Sequence, residues 1–316
     1  MSTAEPGLAD IQAARERIAP HVHVTPICRS ALLDAHCGAR VAFKCENLQK
    51  AGAFKARGAN NAVFSLVEAD ARRGVATHSS GNHGAALAQA ARGRDIAAHI
   101  VMPASAPAVK KQAVAAYGGH IIECAPTLAA REAALAQLVA ATGAHVVHPF
   151  TDPRVIAGQG TVALEILEQV PDLDVVVVPV GGGGLLAGVA IAIKSLRPSV
   201  EVVAAEPAGA DDAFRSFGLG ELQPQNAPDT IADGLLAGLG ELNFALIQRH
   251  VDTILTVTDD NIVAAMRLQW SRLKTVVEPS GAVSFAALLE HPERFRGRNV
   301  VAVISGGNLD PDGLPW

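Results

Sequence analysis

A chain of 316 residues, 49% apolar and only 18% charged, has enough nonpolar material for a large core, which excludes a disordered chain. A net charge of −5 offers no basic field for nucleic acid or an anionic membrane surface, so the expected partner is a small molecule. Four scattered cysteines (Cys28, Cys37, Cys45, Cys124) without CxxC spacing and an amino terminus without a basic-then-apolar leader predict a cytoplasmic protein.

In chain order, the predicted strands are RVAFKCE, GVATHSS, AAHIVMP, HIIECA, HVVHPF, DVVVVPVG, VEVVAAEP, TILTVTD and NVVAVISGG. Stretches of helical length rich in alanine and leucine separate them. One such stretch is SAPAVKKQAVAAYGG, with Ser105 as expected N-cap and Gly118 past its end. Residues 175–193 carry no charge, but Pro179 and four glycines divide them into a buried strand, a loop and a buried helix instead of a membrane span. Strand–helix alternation with several wholly apolar strands predicts an α/β fold of two doubly wound parallel-sheet domains. The expected division is a small domain over 74–151, inserted in a larger one made of 1–73 and 152–316.

Ligands bind at the strand ends of such sheets. In VVVVPVGGGGLLAGVAIA, a strand runs into Gly181, Gly182, Gly183 and Gly184 and then a helix, so backbone N–H groups and a helix dipole can converge on a phosphate. A glycine run alone is as readily a tightly packed turn. The absence of Gly-Lys-Ser/Thr excludes a nucleoside-triphosphate loop, and Leu186 at the third fingerprint position weakens a dinucleotide site. Lys55, in GAFKARGAN, has Ala53, Phe54, Gly58 and Ala59 for neighbours. Most lysines are solvated surface charges. A desolvated one has a lowered pKa and becomes a usable nucleophile and base. HSSGNHG compresses two hydroxyls, an amide and an imidazole at a helix entry, where they suit a carboxylate or simply cap the helix. Ser305, in AVISGGN, offers a neutral hydroxyl to a ring nitrogen.

An amine, a phosphate cradle, a carboxylate loop and a neutral partner for a heterocycle together describe pyridoxal phosphate acting on an amino acid. From TPICRSALLD through ENLQKAGAFKARGA, HSSGNHG, HPFTDPRVIAGQGT, VPVGGGGLLAG, AAEPAGADDAF and TIADGL to VISGGNLD, the chain resembles the fold-type-II pyridoxal-phosphate enzymes. These are tryptophan synthase β-like in fold, and the branch is that of threonine/serine dehydratases and serine racemases. The resemblance implies that Lys55 forms the Schiff base with pyridoxal 5'-phosphate and then removes the Cα proton, with Ser80 as a second acid/base. It implies Phe54 and Asn82 beside the ring, with Asn82 at the phenolic oxygen. It also implies Gly181, Gly182, Gly183, Gly184 and Leu185 on the phosphate and Ser305 at the pyridine nitrogen. Ser79, Ser80, Asn82 and His83 would hold the substrate carboxylate, with Arg131 close by. Glu206, the carbonyl of Ala210 and Asp212 resemble a divalent-cation site, whose oxygen ligands favour magnesium, calcium or manganese; a solvated acidic loop is the plain alternative. A homodimer is expected from the family.

A serine beside the pyridine nitrogen leaves the ring a weaker electron sink, which favours expulsion of a β-hydroxyl over a free carbanion. The expected reaction is therefore β-elimination from a β-hydroxy amino acid to a 2-oxo acid and ammonia. Threonine or serine is the first-choice substrate, and serine racemisation or a dehydratase for 3-hydroxyaspartate or phenylserine is the alternative. Ala53, Phe150 and Ala237 make the pocket more apolar than a serine racemase's, while Ser80 departs from many threonine dehydratases.

Overall fold

The computed structural model describes residues 5–79 and 81–316, so Ser80 lies outside the described residues. Two sheets organise it. The larger has the order β1-β2-β10-β7-β8-β9, formed by Ile27–Arg29, Arg40–Cys45, Asn299–Ile304, Val175–Pro179, Glu201–Pro207 and Thr253–Val257. The smaller has the order β5-β4-β3-β6, formed by His120–Cys124, Ala98–Pro103, Val75–His78 and His145–Val146. Its strands are parallel throughout.

Period-two alternation explains the layering of the large sheet. Val176 and Val178 face one core with Val202, Val301 and the helices Pro153–Gln169 and Gly184–Leu196. Val175 and Val177 face the other with Val203, Val300 and the helix Pro279–Glu290. Both faces of the strands are covered, which is why the strand sequences read as continuous apolar runs. No helix among the described residues is long and apolar enough to cross a membrane.

All nine predicted strands are present, and the structure adds a tenth. The three-residue β1 pairs antiparallel with β2, so the large sheet is mixed at that edge instead of wholly parallel. Only two residues of HVVHPF pair, because the His148 ring accepts the N–H groups of Phe150 and Thr151 and turns the chain out of the sheet. Ser105 is not an N-cap: Pro107 holds that position before the helix Ala108–Ala116, and its fixed φ starts the turn without a side-chain acceptor. Gly118 follows the helix with φ 80°, as expected.

One polar cluster crosses this apolar interior. Arg57 donates to Glu46 (2.7 Å) and Glu165 (2.6 Å), and Lys44 donates to Glu165 at 2.5 Å. Two cations meet two anions, with Thr25 bonded to Glu46, so the buried charges balance. The cluster ties β2 and the helix Pro153–Gln169 to the helix Lys55–Phe64, two residues past the candidate nucleophile.

Candidate active site

Lys55 is the first residue of its helix, and the two residues before it are pinned to the end of β10. Ala53 bridges Gly306, and the Phe54 N–H donates to the Ser305 carbonyl at 3.0 Å. The end of β10 therefore sets where the helix begins and where its first side chain leaves. Lys55 Nζ donates to the Pro149 carbonyl at 2.9 Å and lies 5.0 Å from the Phe54 ring centre. Desolvation pulls the amine from its ordinary value of 10.5 down to about 8, which raises the share of free amine at neutral pH. Ser305 is buried, and its hydroxyl makes a long 3.3 Å bond to the Ser280 carbonyl.

The glycine run forms the loop between β7 and the helix Gly184–Leu196. None of the N–H groups of Gly181, Gly182, Gly183, Gly184 or Leu185 meets an acceptor among the described residues. The carbonyl of Gly182 is turned the other way, onto the Asn243 amide, which also donates to the Phe150 carbonyl at 3.0 Å. Gly183 has φ 86°, and a Cβ on Gly182 would stand 2.4 Å from the Phe150 ring. Free donors at a helix N-terminus, a nearby desolvated amine and an aromatic wall fit pyridoxal phosphate. When bound, it supplies an aldehyde for the amine and an electron-withdrawing ring.

HSSGNHG joins β3 to the helix Asn82–Gly93, whose N-cap is Gly81. Ser79 Oγ accepts the N–H groups of Gly81 and Gly84, so this hydroxyl shapes the loop itself. His83 is buried, with Nε2 on the Val147 carbonyl at 3.1 Å, and burial lowers its pKa to about 3. The neutral ring has one N–H, and it is spent on that carbonyl, so any hold on a carboxylate comes from the His83 backbone. Asn82 lies in the same first turn, with Nδ2 on Glu278 Oε1 at 2.7 Å.

Arg131, in the helix Leu128–Thr142, has a buried Nε without a partner among the described residues. It acts electrostatically on His78, after the larger effect of burial, and both lower that imidazole's pKa. The His78 and His148 rings meet edge to face at 6.0 Å. Burial lowers His148 to about 4, with His78 and Lys55 adding to the effect. His148 is thus neutral and, with Nδ1 accepting, leaves Nε2 as its donor. Arg131 acts on His78, His78 meets His148, and His148 feels the charge of Lys55, so a run of polar groups leads from Arg131 to the candidate nucleophile.

Glu206 is the last residue but one of β8, and Asp212 opens the helix Asp212–Leu219. Both acids are fully buried, which overturns the solvated-loop alternative. Glu206 accepts the N–H groups of Ala213 and Phe214, while Asp212 accepts from Gln225 and the Leu239 N–H. Burial pushes Glu206 up to about 8, with the charges of Asp212 and Asp211 adding to it. Ala210, also buried, lies between them in the chain, at the end of the short turn Ala208–Ala210. No group of three or more histidine, cysteine or acidic side chains suited to a metal occurs among the described residues, so a cation here would need the backbone carbonyl.

Glu278, Asn308 and Asn243 are the residues that sequence reasoning missed. The Pro after Glu278 marks a helix start, but nothing local tells which loop that carboxylate faces.

The chain is 51% identical over 98% of its length, and 99% of the relative's, to a β-hydroxyaspartate dehydratase of Paracoccus denitrificans. It overlays a solved structure of maize serine racemase with a TM-score of 0.96 and 45% identity, covering 98% of this chain and 95% of the other. Against a solved threonine deaminase from Solanum lycopersicum the TM-score is 0.92 at 34% identity, covering 96% and 89%. Residues 18–306 match the description of the pyridoxal-phosphate dependent enzymes, and the chain belongs to that family.

Proposed function

We propose that this chain eliminates water from a β-hydroxy amino acid bearing a second carboxylate, a 3-hydroxyaspartate, giving a 2-oxo acid and ammonia. The observation that carries this reading is Arg131, whose guanidinium keeps a buried donor without a partner among the described residues and acts on His78, the neighbour of His148. An unpaired buried donor of this kind costs free energy, and an incoming carboxylate removes that cost. Serine and threonine bring no second anion, so they become the secondary substrates. The name of the Paracoccus denitrificans relative supports the same substrate class.

In this reading the first turn of the helix Asn82–Gly93 receives the α-carboxylate through its N–H groups. Lys55 takes the Cα proton, and its lowered pKa keeps enough free amine to do so near neutral pH. Departure of the β-hydroxyl as water requires a proton, and the one that Lys55 has taken from Cα balances that step. Arg131→Ala is expected to lower kcat/KM for 3-hydroxyaspartate about a hundredfold while changing serine turnover less than about tenfold. A substrate panel scored for oxo acid and ammonia measures this, with chiral chromatography of the serine arm separating racemisation from elimination. Equal losses on both substrates would remove Arg131 as the second-carboxylate ligand.

We also propose that Glu206, Asp212 and the Ala210 carbonyl hold a divalent cation. Burial raises the pKa of both acids, and the charge of Asp212 raises Glu206 further, so a hard cation between them is stabilising. Chelation should lower the thermal midpoint by about 3 °C for each kcal/mol of lost binding free energy, with recovery on adding magnesium, calcium or manganese. An unchanged melting curve after metal loss has been verified by elemental analysis counts against the site.

A further inference from the structure

Behind Asn82 lies a carboxylate that none of the expected roles uses. Glu278 is buried at the N-cap of the helix Pro279–Glu290. Its Oε1 accepts Asn82 Nδ2 at 2.7 Å and its Oε2 accepts the Asn308 N–H at 3.1 Å. The Asn308 amide spends both its hydrogens, one on Asn82 Oδ1 (2.9 Å) and one on the Ala51 carbonyl (2.7 Å). Room for the carboxylate comes from Gly306, where a Cβ would fall 2.2 Å from Glu278 Oε1.

Counting donors and acceptors settles which way the Asn82 amide points. Reversing it would set Oδ1 against a carboxylate oxygen and Nδ2 against the Asn308 amide nitrogen, two repulsive contacts in a buried place. In the observed orientation one Asn82 N–H serves Glu278, and the second has no partner among the described residues. Burial pushes Glu278 up to about 7, with Asp233 adding to the effect, while the Asn82 bond and the charge of Lys110 oppose it. Lys110 and Asp233 pair with each other just outside, so the charge behind Asn82 is partly balanced.

We propose that Glu278 is a positioning residue for the cofactor: by accepting from Asn82 Nδ2 it makes that amide present an N–H, and not its oxygen, to the phenolic oxygen of pyridoxal phosphate. This rests on the reading that Asn82 faces that oxygen. A donated hydrogen bond holds the phenolic oxygen unprotonated, and the cofactor's absorbance reports it without any turnover. Glu278→Gln places an amide NH₂ toward one of two fixed donors, so one contact fails and Asn82 is released.

The experiment is the absorbance of the purified holoenzyme without substrate. In E278Q the long-wavelength band should fall in favour of the short-wavelength one, and pyridoxal phosphate should bind about tenfold more weakly, the scale of one buried hydrogen bond. Glu278→Asp, a favourable N-cap that keeps the charge but lacks the reach, should shift the band the same way and carries the test should E278Q not fold. Asn82→Ala should shift it alike, and adding E278Q to N82A should change nothing further. An unmoved band in a folded Glu278 variant beside a shifted N82A, or fully additive shifts, overturns the proposal. An unmoved band in N82A overturns both it and the assigned place of Asn82.

Discussion

Lys55→Ala should abolish elimination, with a fall of about three orders of magnitude or more, because the variant loses both its covalent hold on the cofactor and its base. The absorbance of a lysine-linked cofactor should disappear with it, while far-ultraviolet circular dichroism stays that of wild type. Stability gives the same substitution an independent reading. In the cofactor-free protein the amine's pKa lies near 8, against an ordinary 10.5. Between these values the unfolded chain binds a proton that the folded one has released, so wild-type stability rises with pH over that interval. Lys55→Ala removes this term. The stability gap between variant and wild type should therefore shift in wild type's favour as pH climbs from about 8 toward 10.5, and be flat below. Denaturant titrations of both apoproteins across that range measure it. Normal turnover by the variant would sink the assignment of Lys55, and a pH-independent gap would sink the account of its burial.

Arg57→Met should give the largest loss of stability, about 3–5 kcal/mol, because it strands Glu46 and Glu165 without their shared cation in a dry interior. Burial pushes the Glu165 carboxyl up, but the hydrogen bonds and charges of Arg57 and Lys44 outweigh it and hold it below its usual range. With Arg57 gone that hold weakens, and the cost should shrink as falling pH protonates the acid. A lowered folded-state carboxyl pKa contributes stability above the unfolded value and loses it on acidification, so wild type and variant should converge toward acid. Urea titrations at neutral and mildly acidic pH test this. A loss under about 1 kcal/mol at neutral pH would mean that Lys44 alone compensates both acids. Activity should fall too, since the guanidinium anchors the helix whose first residue is Lys55.

Much of this architecture could be read from sequence because its signals are local. Continuous valine runs, the glycine loop after β7 and the apolar setting of Lys55 each lie within a few consecutive residues. Roles that depend on distant partners could not be read this way. Asn82 and Glu278 are 196 positions apart, and Asn243 is 61 from the glycine whose carbonyl it turns. Ser79 and His83 were legible as members of a loop, but their directions depend on neighbours that only the fold supplies. One side chain receives its own loop's N–H groups and the other reaches the carbonyl of Val147. Glu206 and Asp212 stood out as an acidic pair, yet the depth of Glu206 comes from β8 being covered on both faces, and Asp212 is bonded by Gln225 and the Leu239 N–H, both distant in sequence. The edge strand β1 escaped notice because three half-exposed residues have no periodicity to detect.

The position of β10 bears on how the chain is born. That strand comes last in sequence, yet it lies between β2 and β7 and also delivers Ser305 and the clamp on Phe54. A chain emerging from the ribosome can pair β3, β4, β5 and β6 as soon as residue 146 is free, since all four are contiguous. The larger sheet has to wait: until residues 299–304 emerge, β2 and β7 each present an open edge with no neighbour to bond. Between the emergence of β7 and that of β10 the nascent protein thus carries two sticky strand edges, and Lys55 cannot be seated until residues 299–304 are out.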